Sequence, residues 1–376
     1  MKRLCLSIVL VSALLSYGCS GSDSGELEQD GIRVSLSATA GLQIQRNDRT
    51  LLTSSSAPSS ESELRTGDSY SFFSSSSTVN RRLDEQYGYH VFDDRVAPYE
   101  ALSVTQVKQK SDTELAFELS SGGRGTVRLE DSAVRIRWSQ AEDADDRLAM
   151  TFACQEPDRF FGLGAHVSIE HRGYDVPIWV SEQGHGKVDR GETSPIFFVV
   201  GDHYSSYTPV PFTLTNRPMG LLLETNERSH FELCAHQDAL RLEVQGPVFE
   251  LLVYAGDSMA EVLERFTADT GRVEPPARWN LAPVVDAGGG PDEVTHIAEL
   301  ARAEGIPASA IWVEDWVGIQ EAFGGEHLHY DWEVDPDMYP DLTALTDHME
   351  LLGLRFLAYV SPYIPSDTQA AQAGLE

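Results

Sequence analysis

Hydrophobic and polar positions alternate in short runs along the chain between residues 31 and 254. Clear examples are residues 126–129, 133–138, 196–200, 220–224 and 249–254. A period of two residues sends successive side chains to opposite faces of a strand, and turn signals separate the runs. The pattern predicts an antiparallel β-sandwich over residues 31–270.

The pattern changes to a helical period after Tyr254. Residues 258–270 begin with Ser258, a good helix cap, carry apolar side chains at helical spacing, and are followed by Gly271. Serine caps and glycine stops are the ordinary end signals of a helix. We therefore expect a helix to end the first domain.

From Trp279 onward, predicted strands and helices alternate. The predicted strands are residues 281–286, 308–314 and 354–360, and the predicted helices are residues 292–304 and 342–352. The last two strands are almost continuously apolar, which is typical of parallel strands buried on both faces. This order predicts the first three βα units of a (β/α)₈ barrel within residues 271–376. A complete barrel takes roughly 250 residues, so the predicted barrel domain is truncated.

The first residues have the pattern of an export signal. Lys2 and Arg3 precede an apolar run over residues 4–15 and a small-residue exit, which predicts a signal peptide over residues 1–19. Gly18 and Cys19 before a polar stretch resemble a lipoprotein signal, in which Cys19 would be acylated. The alternative is ordinary cleavage and release. Either way, we expect an exported protein, periplasmic or at the cell surface, with membrane contact only through a lipid anchor.

Two segments are expected to lie outside the regular structure. Residues 20–30 predict a linker, and the Ser-rich tract over residues 53–78 predicts a loop or poorly ordered insertion in the sandwich domain. Apart from Cys5 and Cys19, the cysteines are Cys154 and Cys234. In an exported protein these two could form a disulfide or remain two buried thiols, and the sequence leaves both open.

The chain is strongly acidic. It has 28 basic and 59 acidic residues and a formal net charge of -31. Such a charge argues against nucleic acid or an anionic membrane surface as a partner. The composition leaves the oligomeric state open.

Residues around the end of the predicted sandwich resemble a known enzyme family. Residues 253–262, 266–267, 270–272 and 275–279 resemble the junction between sandwich and barrel in glycoside hydrolase family 31. Further matches follow in family order, at residues 160–164, 308–315, 332–336, 339–341 and 353–363. The resemblance, which spans residues 160–363, implies an α-glycosidase that retains configuration and takes a carbohydrate substrate.

Within the family, residues 179–186 and 314–318 resemble the branch that includes bacterial sulfoquinovosidases. Members that hold a sulfonate carry an arginine and a tryptophan shortly after the Asp-Trp pair, because a guanidinium grips an anion with paired hydrogen bonds. The corresponding residues 320–330 contain no arginine here, and Glu321 and Glu326 would repel a sulfonate. We therefore expect a neutral sugar.

The resemblance also indicates which residues would hold sugar. Retaining glycosidases use two carboxyl groups, and in this family both are aspartates after later barrel strands than the three present, so no catalytic residue is assigned and this chain alone is expected to be inactive. The candidate substrate-binding residues are Asp286, Glu314, Asp315 and Trp316 at strand ends, with Glu182 and Gln183 on a sandwich loop. Carboxylates accept hydrogen bonds from sugar hydroxyls, and an indole packs on a pyranose.

Each candidate has a structural alternative. Asp286 and Asp315 could serve a loop or helix cap, Trp316 could fill the core, and Glu182 and Gln183 could sit on a polar turn. Trp312, within a strand, is expected in the core. Glu314 and Asp315 are adjacent and should point to opposite faces, so we expect one of them to face sugar.

Two further motifs predict no additional chemistry. Residues 288–290 are three glycines without the spacing of a phosphate-binding loop, and His327 and His329 beside Glu326 lack further spaced metal ligands. We assign no metal and no cofactor. The second function class left open is a non-catalytic carbohydrate-binding surface lipoprotein, against which stand the uncovered edges of a three-stranded parallel sheet.

Overall fold

The computed structural model describes most of the chain, which divides into two compact units, Met1–Arg272 (unit 1) and Val273–Glu376 (unit 2). The described residues are 23–54, 72–84, 89–131, 133–141, 147–156, 158–181, 187–188, 201–235, 239–322, 325–361, 364–366 and 368–374. The predicted signal peptide and Cys19 lie outside them. Within these ranges no helix is long and apolar enough to span a bilayer.

Unit 1 consists mainly of β-strands. They are β1 (Ser24–Gln29), β2 (Ile32–Ser37), β3 (Gly41–Arg46), β4 (Arg49–Thr53), β5 (Phe72–Ser75), β6 (Ser77–Asp84), β7 (Tyr89–Val96), β8 (Glu100–Leu102), β9 (Val104–Ser111), β10 (Glu114–Leu119), β11 (Arg124–Leu129), β12 (Ala133–Ser139), β13 (Arg147–Ala153), β14 (Phe160–Gly164), β15 (Tyr174–Ile178), β16 (Lys187–Val188), β17 (Gly201–Asp202), β18 (Pro209–Thr215), β19 (Met219–Leu223), β20 (Ser229–Leu233), β21 (Ala239–Val244) and β22 (Val248–Ala255).

Two large antiparallel sheets dominate this unit. The strand order is β14-β18-β19-β22-β12-β11-β10-β9 in one and β15-β20-β21-β13-β5-β8 in the other, with a smaller sheet β1-β2-β3-β4 beside them. Side chains from all three sheets share one hydrophobic core, in which the Trp138 and Phe72 rings form a T-shaped contact at a centroid distance of 5.5 Å. The alternating runs at residues 126–129, 133–138, 220–224 and 249–254 thus coincide with strands β11, β12, β19 and β22, with apolar side chains between the sheets. The run at residues 196–200 lies outside the described residues.

Two segments predicted to be irregular contain strands. In the Ser-rich tract, β5 pairs with β13 and β8 and is buried throughout, and β6 begins immediately afterwards. Phe72 and Phe73 bring enough apolar surface to place the neighbouring serines inside, where Ser75 Oγ donates to the Ala97 carbonyl at 2.6 Å. Residues 55–71 of the tract lie outside the described residues. In the predicted linker, β1 buries Leu27 and pairs along its length with β2.

Cys154 and Cys234 form a disulfide with a Cα–Cα distance of 6.0 Å. The bond joins positions 80 residues apart, and both cysteines pack against the core of unit 1. Of the two arrangements that the sequence leaves open, the structure has the covalent one.

The helix α1 (Met259–Thr270) is the last element of unit 1. It begins directly after Ser258, the predicted cap. Ser258 caps it by accepting from the backbone N–H of Glu261 at 3.1 Å, which satisfies one of the free donors of the first turn. The helix packs on the eight-stranded sheet over Gly220, where a Cβ would lie 2.9 Å from the side chain of Val262. Phe266 stacks on Phe212 at a centroid distance of 3.8 Å.

Unit 2 contains the predicted alternation of strands and helices. Its elements are a 3₁₀ turn (Arg278–Leu281), β23 (Val284–Asp286), α2 (Pro291–Ala303), β24 (Ala310–Val313), a 3₁₀ turn (Asp315–Val317), β25 (Ile319–Ala322), β26 (Gly325–Leu328), α3 (Leu342–Leu351), β27 (Arg355–Ala358) and α4 (Gln369–Gly374). Strands β23, β24 and β27 pair side by side in parallel, and β25 and β26 form a hairpin. Within the described residues the parallel sheet is open, not closed into a barrel.

Candidate functional site

The parallel sheet of unit 2 has two chemically different faces. Ile311 and Val313 of β24 are buried in a cluster that includes Val294 and Ala298 of α2 and Leu345 of α3. Because side chains alternate along a strand, Trp312 points to the opposite face, here called the helix-free face.

The parallel register places other strands' residues on the helix-free face. Asp286 pairs with Trp312, and Trp312 pairs with Leu357. Tyr359 continues the ladder, since its N–H donates to the Val313 carbonyl at 3.0 Å. The carboxyl ends of the three strands therefore bring Asp286, Trp312 and Tyr359 to one edge of one face.

The helix-free cluster consists of Asp286, Trp312, Glu314, Tyr330 and Tyr359. Trp312 Nε1 donates to Glu314 Oε1 at 3.0 Å, its ring lies 5.7 Å from that of Tyr359, and Tyr359 lies 5.9 Å from Tyr330. Burial, the nearby Tyr359 and the Glu314 carboxylate together raise the pKa of Tyr330, so its phenol stays protonated as a donor at neutral pH. The cluster thus offers exposed carboxylates beside half-buried rings.

Asp315 has a different role from its neighbour. Its side chain is buried, its Oδ1 accepts from the Tyr339 hydroxyl at 2.5 Å, and its Oδ2 accepts from the Gly289 N–H at 2.6 Å. Gly289 and Gly290 have φ of 92° and 93°, a conformation that favours glycine. Asp315 therefore holds the glycine loop after β23, the loop role that the sequence left open.

Trp316 belongs to the core. It is 8% exposed, packs in the same cluster as Ile311, and donates from Nε1 to the Tyr359 carbonyl at 2.7 Å. Trp316 therefore fixes the backbone after β27 from the core side of the sheet, and with it the position of the Tyr359 ring.

The remaining sequence candidates are only partly placed. Glu182 and Gln183 lie outside the described residues, as does Tyr363. Residues 320–330, the segment without arginine, include most of the β25–β26 hairpin. In it Gln320 pairs with His327, and Glu321 pairs with Glu326. Both glutamates are exposed, as a solvated surface would be.

Sequence reasoning missed the aromatic part of the cluster. Trp312, expected in the core, is half-buried on the helix-free face, and neither Tyr330 nor Tyr359 was a candidate. A usable signal was present: once Glu314 is a candidate at a strand end, the residue two positions earlier shares its face. Tyr330 carried no such signal, because it follows the β25–β26 hairpin and is not part of the parallel sheet.

The cluster has the chemistry of a sugar-binding surface. Carboxylates accept strong hydrogen bonds from hydroxyl groups, and aromatic rings pack on the apolar face of a pyranose. Within the described residues, no three His, Cys, Asp or Glu side chains are grouped to hold a metal ion.

The chain has relatives among curated proteins. No family model matches the chain. The sulfoquinovosidase of Agrobacterium fabrum is 29% identical over 296 residues, which cover 76% of this chain and 43% of that protein. The sulfoquinovosidase of Escherichia coli K12 is 26% identical over 280 residues, covering 70% and 39%. The chain thus spans less than half the length of these curated relatives.

Solved structures share the fold. A glycoside hydrolase family 31 sulfoquinovosidase from E. rectale, in complex with an aza-sugar inhibitor, has a TM-score of 0.77 and 20% identity, and the match covers 91% of this chain and 50% of that one. A family 31 dextranase of Flavobacterium johnsoniae, complexed with isomaltotriose, has a TM-score of 0.51 at 16% identity, covering 94% and 39%. Together with the curated relatives, these matches confirm the resemblance to glycoside hydrolase family 31.

Proposed function

We propose that this chain is part of an exported α-glycosidase of glycoside hydrolase family 31, contributing the β-sandwich and the first three βα units of a (β/α)₈ barrel. The open order β23-β24-β27, with both helices on one face, is what the beginning of such a barrel requires. Strands added beside β27 would cover its free edge. The relatives reported above are named as glycosidases or dextranase, which favours the enzyme over a non-catalytic lipoprotein.

The observation that carries the proposal is the position of the helix-free cluster. Barrel enzymes place their sites at the carboxyl ends of the strands, and the indole and carboxylate of Trp312 and Glu314 lie at that end. We propose that Glu314 and Asp286 accept hydrogen bonds from sugar hydroxyls and that the Trp312 and Tyr359 rings pack on the sugar. Asp315 and Trp316 would act as positioning residues, through the glycine loop and the end of β27.

We assign no catalytic pair to the described carboxylates. Retention of configuration needs two carboxyl groups about 5 Å apart across the scissile bond, one as nucleophile and one as acid. Asp315 is committed to Tyr339 and Gly289, and no pair is assigned among the described carboxylates. The nucleophile and the acid would come from later strands.

We propose a neutral sugar as the substrate. The surface offers carboxylates at Asp286 and Glu314, and the hairpin after β24 adds Glu321 and Glu326 without an arginine. Negative charge at this density repels a sulfonate. The relatives named as sulfoquinovosidases would then differ from this protein in the group that they hold at this loop.

We also propose export, with a lipid on Cys19 as the anchor. The signal-like segment over residues 1–19 motivates this proposal. The disulfide between Cys154 and Cys234 supports it, because such bonds persist mainly in oxidising compartments.

Sugar binding can be measured separately from turnover. The chain without its signal peptide is titrated with methyl α-glucoside and with methyl α-sulfoquinovoside while tryptophan fluorescence is followed, and nitrophenol release from the matching aryl glycosides is assayed. We expect saturable binding of the glucoside, weaker binding of the sulfonated sugar and no turnover. Trp312→Ala should weaken glucoside binding roughly 5- to 30-fold, the equivalent of about 1–2 kcal/mol.

A matched control is Trp279→Ala, which removes an indole outside the cluster and should leave affinity unchanged. Equal affinity in wild type and Trp312→Ala would refute the role of the cluster. Turnover by this chain alone would refute the absence of the catalytic pair. Sequencing the gene past the codon for Glu376 is a second test: further βα units with two strand-end aspartates support the enzyme, and a stop codon supports the lipoprotein.

A further inference from the structure

The outer face of unit 1 contains a cavity unrelated to the helix-free cluster. Its volume is about 530 Å³, within the range of small-molecule sites, and it lies over strands β9 to β12 of the eight-stranded sheet. Gln106, Lys108, Thr126, Arg137 and Ser139 are among its lining residues. It is a shallow groove across the strands.

The strand register explains the shape of the groove. Lys108 pairs with Ala116, Ala116 with Thr126, and Thr126 with Arg137. This cross-strand row therefore has a long cationic side chain at each end and two small side chains in the middle. Four strands at about 4.8 Å spacing put the backbones of Lys108 and Arg137 roughly 14 Å apart. The two small residues form the floor between them.

The charge of the groove is opposite to that of the chain. Four lining side chains are basic, Lys108, Lys110, Arg124 and Arg137, and one is acidic, Glu118. The chain as a whole carries -31. The groove is therefore locally basic and suits an anion.

Each arginine of the groove makes one solvent-exposed ion pair, and the lysines are available. Arg137 Nε donates to Glu250 Oε2 at 3.2 Å, and Arg124 Nε lies 3.4 Å from Glu118 Oε1. Each guanidinium has five N–H donors, so most remain for a ligand. In the part of the chain that the structure describes, Lys108 and Lys110 have no ion-pair partner.

We propose that this groove of unit 1 binds a short anionic oligosaccharide, one bearing sulfate or carboxylate groups. Lys108 and Arg137 bind anionic groups at the two ends, and Thr126 hydrogen-bonds the sugar hydroxyls between them. Gln106 and Ser139, in the adjacent cross-strand row, add further polar groups beside the ligand. The net negative charge of the chain works against long polyanions such as nucleic acid, because the field of the whole protein repels them. A short ligand depends on the local cations instead.

Isothermal titration of the chain with a trisulfated heparin disaccharide tests the proposal. We expect binding that weakens as NaCl is raised, because the contacts are ionic. The Lys108→Gln/Lys110→Gln variant should bind at least tenfold more weakly. Both lysines are exposed without ion-pair partners, so the fold does not depend on them. Arg33→Gln, on β2 outside the groove, is the matched control and should bind like wild type.

Three results would overturn the proposal: unchanged affinity in the double variant, equal binding of maltose, or equal binding of inorganic sulfate, which would reduce the groove to an anion site. The inference goes beyond the proposed glycosidase and is independent of it. Trp312→Ala leaves the groove intact, so heparin-disaccharide binding by that variant separates failure of one proposal from failure of the other.

Discussion

The Tyr339 hydroxyl donates a hydrogen bond of 2.5 Å to Asp315 Oδ1, and both side chains are buried in unit 2. The same hydroxyl accepts from the Gly290 N–H at 3.2 Å. Burial and the hydrogen bond to the Asp315 carboxylate raise the pKa of Tyr339, so the phenol remains the donor. One side chain therefore joins the segment after β24 to the glycine loop after β23.

Removing this hydroxyl should destabilise unit 2. Tyr339→Phe leaves a buried carboxylate oxygen and a buried backbone N–H without their partner, which costs about 1–3 kcal/mol of unfolding free energy. Urea unfolding followed by tryptophan fluorescence measures the loss. Tyr330→Phe is the control, because that hydroxyl lies in the half-buried cluster, and it should change the unfolding free energy by less than about 0.5 kcal/mol. Equal losses in both variants would contradict the specific role of Tyr339.

Element order in both units follows from local sequence chemistry. Ser258 and Asp341 cap helices α1 and α3 with their side chains, as residues of these types do at helix starts. The strand predicted from residue 281 begins only at Val284, because Pro283 lacks an N–H and residues 278–281 form a 3₁₀ turn. Periodicity gives the type of element, while backbone donors decide its ends.

The residues that the sequence placed least well depend on packing between distant segments. Glu314 and Asp315 are adjacent carboxylates with the same chemistry in the sequence. In the structure, Asp315 accepts a hydrogen bond from Tyr339 and Glu314 accepts one from Trp312. That division depends on where Tyr339 and the glycine loop come to lie, which no local pattern encodes. Phe72 is a similar case, since its partners on β13 and β8 lie far away along the chain.

Reducing the disulfide between Cys154 and Cys234 should lower the stability of unit 1. A bond that closes 80 residues restricts the unfolded chain, and the chain-entropy model gives about 4.5 kcal/mol for such a loop. We expect the double substitution Cys154→Ser/Cys234→Ser to shift the urea midpoint downward by a corresponding amount. Reductant should shift wild type to the same midpoint and leave the variant unaffected. A variant as stable as oxidised wild type would show that the bond contributes nothing.

Glu243 should be a major electrostatic contributor to the six-stranded sheet. It is 5% exposed and accepts from Arg147 Nη1 at 2.6 Å, from Arg241 Nη2 at 2.8 Å and from the Tyr99 hydroxyl. Removing the shared carboxylate from two arginines in a buried network costs about 3 kcal/mol or more, so Glu243→Gln should be strongly destabilised. Glu28→Gln, in an exposed ion pair, should cost less than about 1 kcal/mol.

Glu243 should also make the unfolding free energy depend on pH. Burial raises the pKa of Glu243, but Arg241 and the other surrounding cations outweigh it, and the net pKa lies below the ordinary value of 4.5. A depressed pKa means that the stabilisation is complete above pH 4.5 and is lost as pH falls through the folded value. Urea unfolding from pH 7 down to pH 3 should therefore show a steeper acid loss in wild type than in Glu243→Gln. Parallel curves would contradict this assignment.

Lipidation of Cys19 should be detectable in a bacterial host. If the thiol after Gly18 is acylated, metabolic labelling with palmitate in a bacterial host should mark the full chain, and the protein should sediment with membranes. Cys19→Ala removes the acceptor, so label and sedimentation should both be lost. Cys5→Ala changes a cysteine inside the apolar part of the same signal and should leave both unchanged. A labelled, sedimenting Cys19→Ala protein would exclude Cys19 as the anchor, and an unlabelled wild type released into the soluble fraction would favour ordinary cleavage.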